Sequence, residues 1–175
     1  MTKYKYIIIH HSATKDGDVV DWQAIRRYHK SWAYQGKIIK EADARNLIAE
    51  GKEIKHPWRD TGYNFGVEKI NGEIETLVGR PLTLVGAHTK GRNHDSIGIC
   101  CVGNYDKDTP SPEMINALEN LCIVLVDIFS ISIQDIKGHR AFAAKSCPGI
   151  NLDVQKVIDG VARKVIGKVT KYDYG

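Results

Sequence analysis

The sequence predicts a single α/β domain in which a central mixed β-sheet carries helices on both faces. Short apolar runs alternate along the chain with amphipathic segments of helical period, and the connections between them are long enough for crossovers. One further signal, Asn71-Gly72 between two alternating segments, predicts a β-hairpin. With 175 residues, 42% hydrophobic and 26% charged, the chain has the composition of an ordinary globular protein. We expect the domain at residues 1–168 and a C-terminal tail at 169–175.

The first elements follow from residue type and spacing. Residues 4–11 are rich in aromatic and β-branched side chains, predicting a buried strand that ends in two histidines. After a loop at 12–20, Asp21 is suited to cap a helix, and helical spacing continues through Trp22, Ile25, His29 and Trp32. Residues 40–50 predict a second helix, with Gly51 as its stop.

The middle of the chain predicts the sheet's antiparallel pair. Residues 63–70 and 73–78 alternate around Asn71-Gly72, so these two neighbouring strands are expected to run in opposite directions. A turn-rich loop at 84–95, suited to solvent or ligand contact, precedes a buried strand at 96–102.

The C-terminal third predicts two helices. Ser111 as N-cap and Pro112 at the first helical position open one of them. Its expected core face consists of Met114, Leu118, Leu121, Leu125 and Ile128. Residues 131–136 predict a short strand, and 153–166 a final amphipathic helix.

Charge and cysteine content narrow the function classes. The net charge of +4 favours an anionic partner, such as nucleic acid, an anionic membrane or bacterial cell wall. The basic residues are dispersed and form no nucleic-acid-binding motif, so no nucleic-acid partner is expected. Cys100 and Cys101 are adjacent in a strand and should point to opposite faces, which indicates packing rather than a disulfide framework. With no signal peptide and no apolar run of spanning length, we expect cytoplasmic synthesis and no membrane insertion.

Residues 138–149, GHRAFAAKSCPG, place an imidazole, an ammonium and a thiol on one short segment. A catalytic zinc ion commonly has three protein ligands and leaves a fourth position open, and His10, His139 and Cys147 would supply such a set. On residue types alone, two alternatives stay open. These side chains could be structural, or Cys147 and His139 could act as nucleophile and base.

Five blocks, in order, carry a resemblance that spans nearly the whole chain. They are IIIHHSAT at 7–14, IRRYHK at 25–30, WRDTGYNF at 58–65, GAHTKGRNHDSIGICCVGN at 86–104 and GHRAFAAKSCPGINL at 138–152. This combination resembles the type-2 zinc-dependent N-acetylmuramoyl-L-alanine amidases, a family that includes phage lysozyme amidases and peptidoglycan recognition proteins. The resemblance implies that residues 1–168 form an amidase domain.

The resemblance also implies the site. His10, rather than His11, falls on a zinc-ligand position together with His139 and Cys147, and the cysteine is like that of the phage lysozyme branch. The implied catalytic residues are Tyr63 and Lys145, and the implied substrate contacts are His88 and Asn93. From the residues alone, Tyr63 could equally be an aromatic strand residue, Lys145 a solvated lysine and Asn93 a turn cap.

The implied function is a Zn²⁺-dependent hydrolase that cleaves the amide bond between N-acetylmuramic acid and L-alanine in peptidoglycan. A monomeric phage or prophage endolysin, acting on the cell wall after release, is the expected form. A non-catalytic peptidoglycan-binding module and a cytosolic recycling amidase acting on soluble muropeptides remain the alternatives. The chain departs from the family at Asn64, where histidine is frequent, and in residues 37–57, which are longer than in compact members and could form part of a groove wall.

Overall fold

A five-stranded mixed sheet lies at the centre of the computed structural model, which describes residues 4–14 and 21–172, with side chains through 167. The strands are β1 (Tyr6–His11), β2 (Ala33–Tyr34), β3 (Lys37–Ile38), β4 (Phe65–Ile70), β5 (Glu73–Val78), β6 (Ser96–Cys101) and β7 (Ile136–Gly138). The helices are α1 (Trp22–His29), α2 (Glu41–Ala49), α3 (Pro112–Phe129) and α4 (Val154–Tyr172).

The strand order is β5-β4-β6-β1-β7. Strand β1 lies in the interior of the sheet, where it pairs in parallel with both β6 and β7, while β4 pairs in parallel with β6. The Asn71-Gly72 turn joins β4 and β5 as an antiparallel hairpin, and both turn residues have positive φ, as a two-residue hairpin turn requires. Strands β2 and β3 form a separate small hairpin before α2.

Helices cover both faces of the sheet, as the sequence predicts. On one face α3 and α4 pack against alternate residues of β1 and β6, including Ile7, Ile9 and Cys101. On the other face, Trp22 and Ile25 of α1 pack with Cys100 and Val102. The adjacent cysteines therefore point to opposite faces, and all four cysteines of the chain are free thiols.

The predicted helix starts are confirmed by their caps. The side chain of Asp21 accepts a hydrogen bond from the Ala24 backbone N–H, and Ser111 accepts one from Met114. Helix α2 ends at Ala49, and Gly51 has φ +76°, consistent with the predicted glycine stop.

Several local predictions differ from the structure. Helix α1 ends at His29, so Trp32, the last position of the predicted helical spacing, lies beyond the helix. Residues 133–135 form a 3₁₀ turn, so only Ile136 of the predicted strand at 131–136 lies in a strand, and β7 continues beyond the prediction to Gly138. Ile128 was expected on the core face of α3 but is 62% exposed, because it lies outside the stripe that faces the sheet. Helix α4 continues to Tyr172, so the first residues of the expected tail are helical. Residues 173–175 of that tail and residues 15–20 of the predicted loop lie outside the described chain.

The parallel strands β1, β6 and β7 present their carboxyl ends at the same edge of the sheet. In open α/β sheets, ligands commonly bind at this edge.

Within the described residues, no helix has the length and apolarity needed to cross a membrane.

Candidate metal centre and substrate groove

Three donor atoms converge where β1 and β7 end. His10 occupies the end of β1 and is 1% exposed, while His139 follows β7 directly in a 3₁₀ turn. Cys147 reaches the same point from the following loop, where its backbone carbonyl accepts a hydrogen bond from Arg140 N at 2.8 Å. One donor atom from each of the three side chains lies within 4.8 Å of the others.

The orientation of His10 leaves one ring nitrogen available for a metal. Its Nδ1 lies 3.6 Å from Cys147 Sγ, and the His10 and His139 ring centroids are 4.6 Å apart. Its Nε2 lies 3.1 Å from His88 Nδ1 and 3.3 Å from Thr89 Oγ1. A metal-bound histidine commonly donates its second ring N–H in this way, which fixes the ring orientation.

The donor chemistry fits zinc. Burial lowers the pKa of His10 well below its usual value, and also lowers that of His139, so both imidazoles are neutral with a free lone pair at neutral pH. The positive charge of Lys145 adds to both effects. Two neutral imidazoles and one thiol form a set that suits zinc, and the residues present therefore fit the implied ion.

Burial raises the pKa of the Cys147 thiol, although the nearby Lys145 and Arg140 act in the opposite direction. Without a metal the side chain is therefore a neutral thiol at pH 7. A cysteine nucleophile needs thiolate character, which is usually produced by an exposed, electropositive environment. The buried Cys147 thus fits a metal ligand better than the nucleophile that the sequence left open.

Tyr63 lies beside the candidate metal centre. The structure places it two residues before β4 begins, rather than within the predicted strand, and its ring centroid is 5.1 Å from that of His10. Burial raises the pKa of Tyr63 well above its usual value, with the nearby Cys100 and Cys147 adding to the effect. The phenol is therefore neutral across the physiological range and can donate a hydrogen bond.

A cavity of about 470 Å³ opens over the three donor atoms, and a second cavity of about 740 Å³ adjoins it. We call the two together the groove. Lys145 is exposed and lines both cavities, as do Trp58, Ala87, His88 and His139. Tyr63 and the predicted ligands line the first cavity, so all five predicted catalytic and metal residues surround one space.

His88 and Asn93 have contacts beyond those that the sequence indicated. The His88 ring lies over Gly98 of β6, is 9% exposed and contacts His10, so it supports a predicted ligand as well as lining the groove. Asn93 Oδ1 accepts hydrogen bonds from the backbone N–H groups of His88 and Thr89, at 2.9 and 2.8 Å. Asn93 therefore holds the loop that carries His88. Its own contact with substrate stays a prediction.

The structure brings further residues to the site that sequence reasoning did not select. Asp106 lines the first cavity, and His29 lies there with its ring 4.6 Å from that of Trp58. His29 Nδ1 accepts a hydrogen bond from Gly62 N, directly before Tyr63. The helical spacing suggested a core or boundary role for His29, and no sequence signal identified Asp106. Their roles depend on tertiary contacts.

The fold and donor set define a class of protein: an α/β domain with a candidate hydrolytic metal centre at the carboxyl edge of its parallel strands. Comparison with known proteins makes the assignment specific. Residues 1–150 match the family model Amidase_2, described as N-acetylmuramoyl-L-alanine amidase. The chain belongs to this family and is an N-acetylmuramoyl-L-alanine amidase.

Individual relatives support this family assignment. The chain is 32% identical over 151 residues to the endolysin of Enterobacteria phage T3, covering 83% of this chain and 81% of that protein. It is 32% identical over 148 residues to peptidoglycan-recognition protein SC1a of Drosophila melanogaster, covering 84% and 69% of the two chains. Among solved structures, the endolysin amidase LysCS from Clostridium intestinale superposes with TM-score 0.67 at 24% identity, over 92% of this chain and 85% of LysCS, and supports the fold.

Proposed function

We propose that this amidase uses a zinc ion held by His10, His139 and Cys147 to cleave the bond between N-acetylmuramic acid and L-alanine in peptidoglycan. The observation that carries the proposal is the convergence of these three donor atoms at the floor of an open groove. When bound, zinc would supply a Lewis acid that polarises a carbonyl group and lowers the pKa of water to about 7.

Lys145 and Tyr63 would act on the amide itself. Negative charge develops on the carbonyl oxygen during amide hydrolysis, and a fixed ammonium or hydroxyl donor stabilises that charge. The Lys145 side chain lies at the groove and belongs to the same loop as Cys147, which places a positive charge beside the metal centre. Tyr63 offers a neutral O–H beside the metal centre, since its ring lies next to the His10 ring and both line the same cavity.

We further propose that the protein is a monomeric phage or prophage endolysin, made in the cytoplasm and acting on the cell wall after release. The T3 and Escherichia phage T7 endolysins, at 32% and 31% identity, support this form. A muropeptide-sized ligand is consistent with the groove, since the related peptidoglycan recognition protein LE, 25% identical, was solved with tracheal cytotoxin, a monomeric diaminopimelic acid-type peptidoglycan.

Binding without turnover is the second candidate function, because several relatives are recognition proteins. Product analysis separates the two. Zinc-loaded protein is incubated with purified peptidoglycan and, separately, with a soluble muropeptide, and new L-alanine amino termini are quantified. The proposal predicts their release by the wild type and not by His139→Ala. Retention of substrate by the wild type without new termini would support the recognition module instead.

A further inference from the structure

Asp106, in the loop that follows β6, contacts the segment that carries Cys147 on both sides of the cysteine. Its Oδ2 accepts a hydrogen bond from Ser146 Oγ at 2.7 Å, and its Oδ1 accepts one from the Ile150 backbone N–H at 3.0 Å. One partner immediately precedes the cysteine and the other lies three residues after it. A single carboxylate therefore fixes both ends of the turn that presents the thiol.

His11, the last residue of β1, lies beside the same carboxylate. Its Nδ1 accepts a hydrogen bond from the Tyr105 backbone N–H at 3.2 Å, so the ring proton belongs on Nε2. Nε2 lies 3.8 Å from Asp106 Oδ2. The two histidines that end β1 thus have different environments: His10 faces the metal centre, whereas His11 faces the residue that holds the cysteine loop.

The loop that carries Asp106 and the loop that carries Cys147 also contact each other through their backbones. Asn151 N donates to the Tyr105 carbonyl at 2.9 Å, and a Cβ added at Gly149 would lie 2.4 Å from the Tyr105 carbonyl carbon. Gly149 has φ +104°, which an L side chain rarely adopts. The cysteine loop therefore packs directly on the 105–106 backbone, and the Asp106 carboxylate lies within that contact.

We infer that Asp106 is a positioning residue for the amidase reaction: by binding Ser146 and Ile150 it holds Cys147 at the metal centre and Lys145 at the groove. The inference rests on the proposed function, in which Cys147 is a zinc ligand. Residues that orient metal ligands typically change metal affinity by about 10- to 100-fold when they are replaced. Asp106→Ala removes both acceptors, while Ser146→Ala removes one donor and Asp106→Asn keeps an acceptor oxygen.

The first measurement needs no metal. Cys147 is 9% exposed whereas Cys100, Cys101 and Cys122 are fully buried, so iodoacetamide applied to zinc-free protein should modify Cys147 selectively, and peptide mass spectrometry can follow its rate. Release of the loop should increase that rate about tenfold in Asp106→Ala, and less in Ser146→Ala and Asp106→Asn. Asp108→Asn is the matched control, because Asp108 contributes its backbone carbonyl to Asn151 and the substitution retains it.

The second measurement is zinc affinity, determined by competition with a chromogenic chelator and accompanied by thermal unfolding and kinetics. We expect about tenfold weaker zinc binding in Asp106→Ala, partial recovery in Asp106→Asn, and a lower kcat with KM little changed. A lower Tm with wild-type alkylation and zinc affinity would overturn the inference, as would behaviour identical to that of Asp108→Asn. Wild-type protein that binds no zinc would refute the proposed function, while the alkylation rates would still decide whether Asp106 holds the loop.

Discussion

Replacing Gly98 of β6 with alanine tests whether His88 orients His10. A Cβ built at Gly98 lies 2.6 Å from two carbons of the His88 ring, whereas ordinary contacts are 3.4–4 Å. The ring must therefore move by about 1 Å, since Gly98 is buried in the sheet between β4 and β1. The present distance between His10 Nε2 and His88 Nδ1 is 3.1 Å, so a movement of this size away from His10 takes the pair beyond hydrogen-bond range.

Two effects are expected from Gly98→Ala. Overpacking should lower the free energy of unfolding by about 1–3 kcal/mol. Loss of the His10 contact should weaken zinc binding by about tenfold or more. Chelator competition and urea unfolding measure the two effects separately. Gly167→Ala is the matched control, because a Cβ there meets nothing within 4 Å and alanine in a helix should stabilise the protein by about 0.5–1 kcal/mol.

A double-mutant cycle identifies the route of the Gly98→Ala effect. In a His88→Ala background the clash is removed, so adding Gly98→Ala should change zinc affinity little further. Additive losses in the double variant would show that the alanine acts on His10 by another path. Zinc affinity within twofold of wild type in Gly98→Ala alone would refute the orienting role of His88.

Three other predictions concern the groove and stability. Tyr63→Phe keeps the ring on His10 but removes the O–H, so kcat should fall about a hundredfold; unchanged hydrolysis would exclude the hydroxyl from the reaction. Lys145→Met should lower kcat to a similar extent while zinc affinity, measured in parallel, is retained. Burial lowers the pKa of His29 to about 4, and the positive charges of Lys55 and Arg80 contribute to the same shift. As the pH falls, His29 is therefore protonated in the unfolded chain before it is protonated in the folded protein. Stability should be full above about pH 6.5 and decline by about 2 kcal/mol, after allowance for solvent screening, towards pH 4; urea unfolding of His29→Gln should lack this component.

Much of the fold was predictable because local signals agree with the tertiary structure. The β-branched run of β1, the caps at Asp21 and Ser111, and the Asn71-Gly72 turn each determine a local geometry that packing then preserves. The opposite orientations of Cys100 and Cys101 follow from strand periodicity alone. The position of β7 was not predictable in this way, because Ile131, Ile133 and Ile136 alternate with polar residues and the pattern does not reveal which residues find a pairing partner.

The candidate site was predictable where the type of side chain indicates a chemical role. His139, Lys145 and Cys147 share one segment, and the family resemblance connected them to His10 and Tyr63 at distant positions. The supporting contacts were not predictable, since Asp106 and Ser146 are 40 residues apart and look like ordinary surface residues in the sequence. The separate roles of His10 and His11 likewise depend on which loop packs against each face of β1.

We propose that amide hydrolysis by this protein depends on a metal held by His10, His139 and Cys147. The most direct test follows the release of L-alanine amino termini from purified peptidoglycan as the metal is removed with a chelator and zinc is then restored. Activity should disappear on chelation and return as zinc is added up to one equivalent. Activity that persists after complete metal removal would contradict this proposal and favour a thiol mechanism at Cys147.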